Sequence, residues 1–325
     1  STEHMGKRFI DELHELPTTM QWAAEQDVTL LRRAIQLYGD RGLLAVGSGG
    51  SFTAAAYAAD QHFRVYGRPS QAITPLEVFQ VPTHAAANAA GLLLSAEGKN
   101  HDILAAAKQL RLRACPTIGL TLRSTSPLVE LTDETGAASL AVYNMPWGKD
   151  GYLATNSLIA TLILLWRAYE GDAIVATELL LLANWYLQFD RRIEQAGSMK
   201  RSGRALILHG AVGRVGAIDL ESKLTEGALA FGQVCNFRQF AHGRHLQLSQ
   251  LSEPVTVVSF SIGGDPLAAE TIRLLPMEAG PVLNVALPRI SDAGAEIAGV
   301  LAAMVITRAW AGEHIDPGQP AVPQF

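Results

Sequence analysis

Two stretches of this chain repeat one form. Leu43–Tyr57 (LLAVGSGGSFTAAAY) and Ala205–Leu224 (ALILHGAVGRVGAIDLESKL) each pass from a short apolar run through a glycine turn directly into a helix-like segment. Unbroken apolar runs suit strands buried on both faces, and such strands belong to parallel sheets covered by helices. A helix entered straight from a glycine turn presents unpaired N–H groups and partial positive charge, the form of a phosphate- or sugar-binding turn.

Around each stretch the same alternation continues. From Gly42, strand-like LLAV, GLLLS, CPTIGLTL and SLAVYNM alternate with helix-like SFTAAAYAADQHF, HDILAAAKQLR and SPLVELTDET. After Arg204 come the strands EPVTVVSFS and GPVLNVALP and the helix GAEIAGVLAAMVITRAW. This is the pattern of βαβ units. Between the halves, TNSLIATLILLWRAYEG and ATELLLLANWYLQFDRRIEQAG carry apolar residues at three- and four-residue intervals, as packed helices do. The expected fold is α/β: two doubly wound parallel-sheet domains, each a flavodoxin-like α/β/α sandwich. Helices are expected over 1–40, with Pro17 and Thr18 as a helix start. A first domain is expected over 41–170, a connecting helix over 171–199 and a second domain over 200–325, with the boundary in AGSMKRSG at 196–203.

Composition narrows the function. Of the 325 residues 48% are hydrophobic, enough for a large core, and the net charge of −5 comes without a block of like charges. Neither a nucleic-acid footprint nor a polybasic membrane patch is present, so the expected partner is a small molecule or another protein chain. No apolar run has the length of a membrane span, and STEHMGKRFIDEL lacks the apolar core of a signal peptide, which points to the cytoplasm. Ser1–His4 read as an extension ahead of Met5. Cys115 and Cys235 stand alone in apolar surroundings, against a disulfide framework or a zinc ribbon.

Five motifs then occur in order: GSGGSF (Gly47–Phe52), LLLSAEGKNHDIL (Leu92–Leu104), GYLATNSL (Gly151–Leu158), KLTEGAL (Lys223–Leu229) and FAHGRH (Phe240–His245). Together they resemble the tandem SIS (sugar isomerase) domain family, in particular the isomerase half of glucosamine-6-phosphate synthase and the fructosamine-6-phosphate deglycases. The tail from Gly312 resembles the family's up to Asp316 and Pro317. The resemblance implies a first sugar-binding turn at Ser48, Gly49, Gly50 and Ser51, a phosphate loop at Ser95, Glu97, Gly98, Lys99 and Asn100, and a ligand-covering helix start at Thr155. It also implies catalytic roles for Glu226, His242 and Lys223. The expected cleft takes the turn, the loop and Thr155 from the first domain and Glu226 from the second.

On those terms the chain is expected to be an aldose–ketose isomerase or deglycase acting on an anionic amino sugar or fructosamine. A non-catalytic sugar sensor and an enzyme for an unphosphorylated sugar are the alternatives. No cofactor, metal, nucleic acid or membrane is implied, and a homodimer is, because the family's histidine commonly reaches a neighbouring subunit and the apolar helices from Thr155 to Ile193 call for cover. Glutamine-dependent synthesis is not expected, since no amidotransferase domain precedes the first sheet.

The residues also allow plainer readings. The family's phosphate loop reads Ser-x-Ser-Gly-x-Thr; here Glu97 stands at the second Ser and Asn100 at the Thr. Lys99 could clamp an anion with Glu97 turned outward, the loop could read sugar hydroxyls, or the site could have decayed. Ser48 and Ser51 fit helix caps as well as sugar ligands, and Asn156 fits a cap as well as the place of a lost lysine. Lys223 and Glu226, three apart with Asp219 one turn before, fit a solvated helix face. Moving a proton between adjacent sugar carbons needs a carboxylate and ring opening a group of near-neutral pKa, which Glu226 and His242 supply. His245 raises a metal alternative, and His209 reads as structural.

Overall fold

In a computed structural model the chain is described over residues 7–133, 138–197, 202–250, 252–276, 280–313 and 315–318. Helices α1 (Phe9–Glu25) and α2 (Thr29–Leu37) lead into β1 (Gly42–Val46), α3 (Gly50–Tyr66), β2 (Gln71–Ile73), α4 (Pro75–Val78), α5 (Thr83–Asn88), β3 (Ala89–Leu94), α6 (His101–Leu112), β4 (Thr117–Thr121), α7 (Pro127–Asp133) and β5 (Ala138–Val142). Then follow α8 (Asn156–Glu170), α9 (Asp172–Ala196), β6 (Arg204–His209), α10 (Arg214–Glu226), β7 (Phe231–Asn236), α11 (Phe237–Gln239), α12 (Leu246–Gln250), β8 (Thr256–Ile262), α13 (Pro266–Arg273), β9 (Val282–Leu287) and α14 (Asp292–Ala311).

The strands form two parallel sheets, ordered β2-β1-β3-β4-β5 and β7-β6-β8-β9. In both, the second strand lies on one side of the first and all later strands on the other, so the order reverses between β1 and β3 and between β6 and β8. This is the doubly wound, flavodoxin-like order expected from the sequence, and in such sheets ligands sit where the order reverses, beyond the carboxyl ends of the strands. The apolar runs read as they should: β4 is buried at every position, and β3 and β6 at all but the first.

The chain forms two compact units, one of residues 16–150 with 154–176, the other of 7–15, 151–153 and 177 onward. In the first, α8 is buried at every residue except Ser157 and Glu170. A helix apolar all round is a core helix, so the cover expected from a partner comes, for α8, from within the chain. α9 does leave Ile174, Leu180, Leu181 and Leu187 exposed. In the second unit α14 has the length and composition of a membrane span, but it too is buried. It lies against α10 with Gly299 backbone where a Cβ on Gly216 would stand, at 2.5 Å, so the two helices meet backbone to backbone.

One expectation fails at the N-terminus. Pro17 does not start a helix; α1 runs through it. A proline inside a helix leaves the carbonyl four residues earlier without its donor, and here that carbonyl, on Leu13, accepts the Tyr186 hydroxyl at 3.2 Å. Of the expected boundary at 196–203, residues 198–201 lie outside the described residues, as do Glu134 and Thr135 of the expected helix SPLVELTDET and positions 314 and 319–325 of the tail. Within the tail, Asp316 accepts the Phe9 N–H at 2.9 Å. Both cysteines are free and buried, and burial pushes the Cys115 thiol up to about 11.

Candidate functional site

At the carboxyl edge of the first sheet, β1 and β3 are neighbours in parallel register, Val46 opposite Leu93. The turn after β1 and the loop after β3 therefore leave the same edge side by side. Glycine shapes the turn twice over. Gly49, the N-cap of α3, has φ +56°, and a Cβ on Gly50 would stand 2.1 Å from that of Ala154. The helix start can take its place only because position 50 has no side chain. Ser48 and Gly49 are exposed, Gly50 and Ser51 half-buried, and no side chain caps α3. Neither serine does the capping that its sequence suggested.

Ala154 precedes Thr155, so the same close approach brings the start of α8 to the turn. Thr155 is fully buried, and its Oγ1 has no hydrogen-bond partner among the described residues. Asp150 caps α8 instead, accepting the N–H groups of Thr155 at 2.9 Å and Ser157 at 3.1 Å and the Ser157 hydroxyl. Asn156 is the first helical residue and not the cap; its Oδ1 accepts the Thr19 hydroxyl at 2.6 Å. A buried hydroxyl without a partner is rare enough in folded proteins to call for an explanation.

The loop after β3 is tightly bonded to itself. Ser95 Oγ accepts the Gly98 N–H at 3.1 Å, and Gly98, at φ +62°, accepts Leu128 N–H at its carbonyl. A Cβ at Gly98 would fall 2.3 Å from Ser126 Oγ. Asn100 caps α6, its Oδ1 accepting the N–H groups of Asp102 and Ile103 at 2.8 and 3.3 Å. Glu97 pairs with Arg123 at 2.9 Å, and the same guanidinium donates to the carbonyls of Leu122 and Met145. Lys99 is exposed and makes no ion pair among the described residues.

Beyond β6, the corresponding place in the second sheet is closed from within. The α10 N-terminus receives the buried Glu296 of α14, which accepts Val215 N–H at 3.0 Å. His209, at the end of β6, is buried with Nδ1 2.8 Å from the Gly210 carbonyl. Further along α10, Lys223 and Asp219 form a buried ion pair at 2.7 Å, not a solvated one. Glu226 ends the helix exposed, accepting the Ser222 hydroxyl at 2.5 Å. His242 is exposed in a kinked helical stretch, Phe240–Arg244, where Gly243 takes φ +108°, and His245 lies edge-on to Phe240. Among the described residues no three His, Cys, Asp or Glu side chains group as a cation site.

The structure thus brings together Ser48, Gly49, Gly50 and Thr155, and sets Ser95–Asn100 on the same sheet edge. Lys223 is joined to Asp219, with Glu226 at the same helix's end. Sequence reading missed Arg123, Asp150 and Glu296. Arg123 had one signal, a cation just past the carboxyl end of a strand; the other two are distant in sequence or looked like ordinary surface acids.

No family model matches the chain, and no curated protein matches it in sequence. Solved structures do match its fold. Glucosamine-6-phosphate deaminase from Thermotoga maritima has a TM-score of 0.74 at 18% identity, with 93% of each chain covered. The C-terminal domain of glucosamine-fructose-6-phosphate aminotransferase from Francisella tularensis gives 0.73 at 13% identity, covering 94% of this chain and 96% of that one. Tagatose-6-phosphate ketose/aldose isomerase from Escherichia coli gives 0.68 at 15%, covering 98% and 97%. At such identities the likeness is one of fold, and function rests on the site.

Proposed function

We propose that this chain is a sugar-processing enzyme, an aldose–ketose isomerase or deglycase, that holds an anionic amino sugar or fructosamine where the first sheet's strand order reverses. One observation carries the reading: a glycine turn and a polar loop share that edge, and beside the turn lies the Thr155 hydroxyl, buried and without a partner among the described residues. A sugar hydroxyl reaching Thr155 would supply the missing hydrogen bond. The order of the five motifs and the names of the fold neighbours support the same substrate class.

For the chemistry, Glu226 is assigned the proton transfer between adjacent sugar carbons and His242 the proton that opens the ring. A second copy of the chain belongs to the proposal, with the exposed leucines of α9 as its contact, and light scattering well above 34.8 kDa is the expected result. The deciding experiment is turnover. Glu226→Gln should lower the rate by about 10²–10⁴-fold with ligand affinity nearly unchanged. A variant that turns over normally ends the assignment of Glu226. A second reading, a sugar-binding protein without turnover, is favoured by the wiring of α10, where the Lys223 ammonium is bonded to Asp219. It predicts binding by the wild type with no isomerisation of any aldose or ketose offered.

A further inference from the structure

A sugar with a negatively charged end needs donors for that charge and no opposing charge beside it. The loop after β3 meets the first need. Of the six amides from Ala96 to His101, only that of Gly98 has a partner among the described residues, and the exposed Lys99 ammonium belongs to the same stretch. The second need is met less simply, because Glu97 sets a carboxylate among those amides.

Arg123 answers that carboxylate. Its Nη2 lies 2.9 Å from Glu97 Oε1, and the two side chains are only 19% and 25% exposed. Its Nη1 donates to the carbonyls of Leu122 at 3.4 Å and Met145 at 3.1 Å, past the carboxyl ends of β4 and β5. Backbone therefore anchors the guanidinium where it meets Glu97, and a partly buried pair is screened less than a surface one. Glu97 and Arg123 neutralise each other, which leaves Lys99 as the charge that the stretch from Ala96 to His101 presents.

We propose that Arg123 acts through Glu97 as a positioning residue that sets specificity: by holding that carboxylate and cancelling its charge, it lets the loop take the anionic end of the sugar. The inference rests on the anionic-sugar site proposed above and names the residue that decides its charge preference. Binding to the full chain is measured by saturation-transfer NMR at constant ionic strength. The probes are glucosamine and fructose, each against its terminal phosphate ester. The readout is the ratio of ester to free-sugar affinity, which a general loosening of the loop would not invert and restore.

The wild type should favour each ester about tenfold or more. Arg123→Gln should lower that ratio about tenfold, and adding Glu97→Gln to the same chain should restore most of it, because no carboxylate then opposes the ester. Glu97→Gln alone frees the guanidinium and should raise the ratio; it carries the test if the melting curve of Arg123→Gln shows that this variant does not fold. A ratio that ignores either single change, or that the double change does not restore, overturns the inference and leaves the sugar site standing. A wild type that favours the free sugars, or that binds no probe, overturns the anionic-sugar reading and the inference with it.

Discussion

The two sheets share one strand order and treat the place where it reverses in opposite ways. In the first, α3 starts on glycine with no side-chain cap, next to an exposed serine and a buried hydroxyl that has no partner among the described residues. In the second, α10 starts on glycine too, but Glu296 from α14 accepts the Val215 N–H. A carboxylate at a helix N-terminus meets the donors and the dipole that would otherwise attract a ligand. The same architecture therefore leaves one helix start without a side-chain acceptor and gives the other a buried acid.

The largest effect that could break this contrast lies within α10. Lys223→Ala removes the buried ammonium beside Asp219 and should lower unfolding stability by about 3–5 kcal/mol in a denaturant titration, since breaking a buried ion pair by removing one member is costly. A loss below about 1 kcal/mol would mean that the pair is solvated, as the sequence suggested. Replacing both residues by apolar ones of similar size should recover much of the loss.

Next is the seal itself. Glu296→Ala strands the Val215 amide in the core and should cost about 1–3 kcal/mol, with sugar binding unaffected if the second edge takes no ligand. A gain of sugar or phosphate binding in this variant would sharpen the contrast further, because it would show that the second edge had been closed to a ligand by that side chain alone.

Thr155→Val tests the receptive edge. Valine fills the same volume and removes a hydroxyl that no group among the described residues satisfies, so the melting temperature should hold or rise while sugar affinity falls about tenfold. Falling stability with unchanged affinity would make Thr155 a structural residue.

The smallest effect separates the units by pH. His62, in the first, is buried between the Arg41 carbonyl and the Tyr169 hydroxyl, and burial holds its pKa below the ordinary 6.5. A carbonyl can only accept, so Nε2 carries the proton and Nδ1 accepts from Tyr169. With the folded pKa below the unfolded one, the unfolded chain binds more protons as pH drops below about 6.5, and stability falls until the folded pKa is passed. His62→Gln should flatten that acid slope in thermal melts at successive pH values.

Much of the fold could be read from the chain because its evidence is local. Runs such as LLAV and the LLL of β3 are apolar at every position for the same reason that β1 and β3 are buried on both faces, and each glycine turn marks a carboxyl edge. The site was legible only in outline. Ser48, Gly50 and the Ser95–Asn100 loop could be placed by their strands, but the partners that define their chemistry come from elsewhere. Arg123 reaches Glu97 from the following βα loop, and Glu296 reaches Val215 across 81 residues. Pro17 shows the same limit, since only the Tyr186 hydroxyl explains how α1 survives it.

The backbone contact of Gly216 with Gly299 also has a mechanical side. With no side chain between them, α10 and α14 have a fixed pivot near the start of α10. Glu226 stands ten residues beyond it, about 15 Å along the axis at 1.5 Å per residue. A tilt of about 5° at the pivot would swing that end of the helix by roughly 1.3 Å, and for the proton transfer proposed for Glu226 a displacement of about 1 Å would cost about a hundredfold in rate. A methyl group added at Gly216 or Gly299 would act as a wedge under a lever, felt most at the far end of the rod.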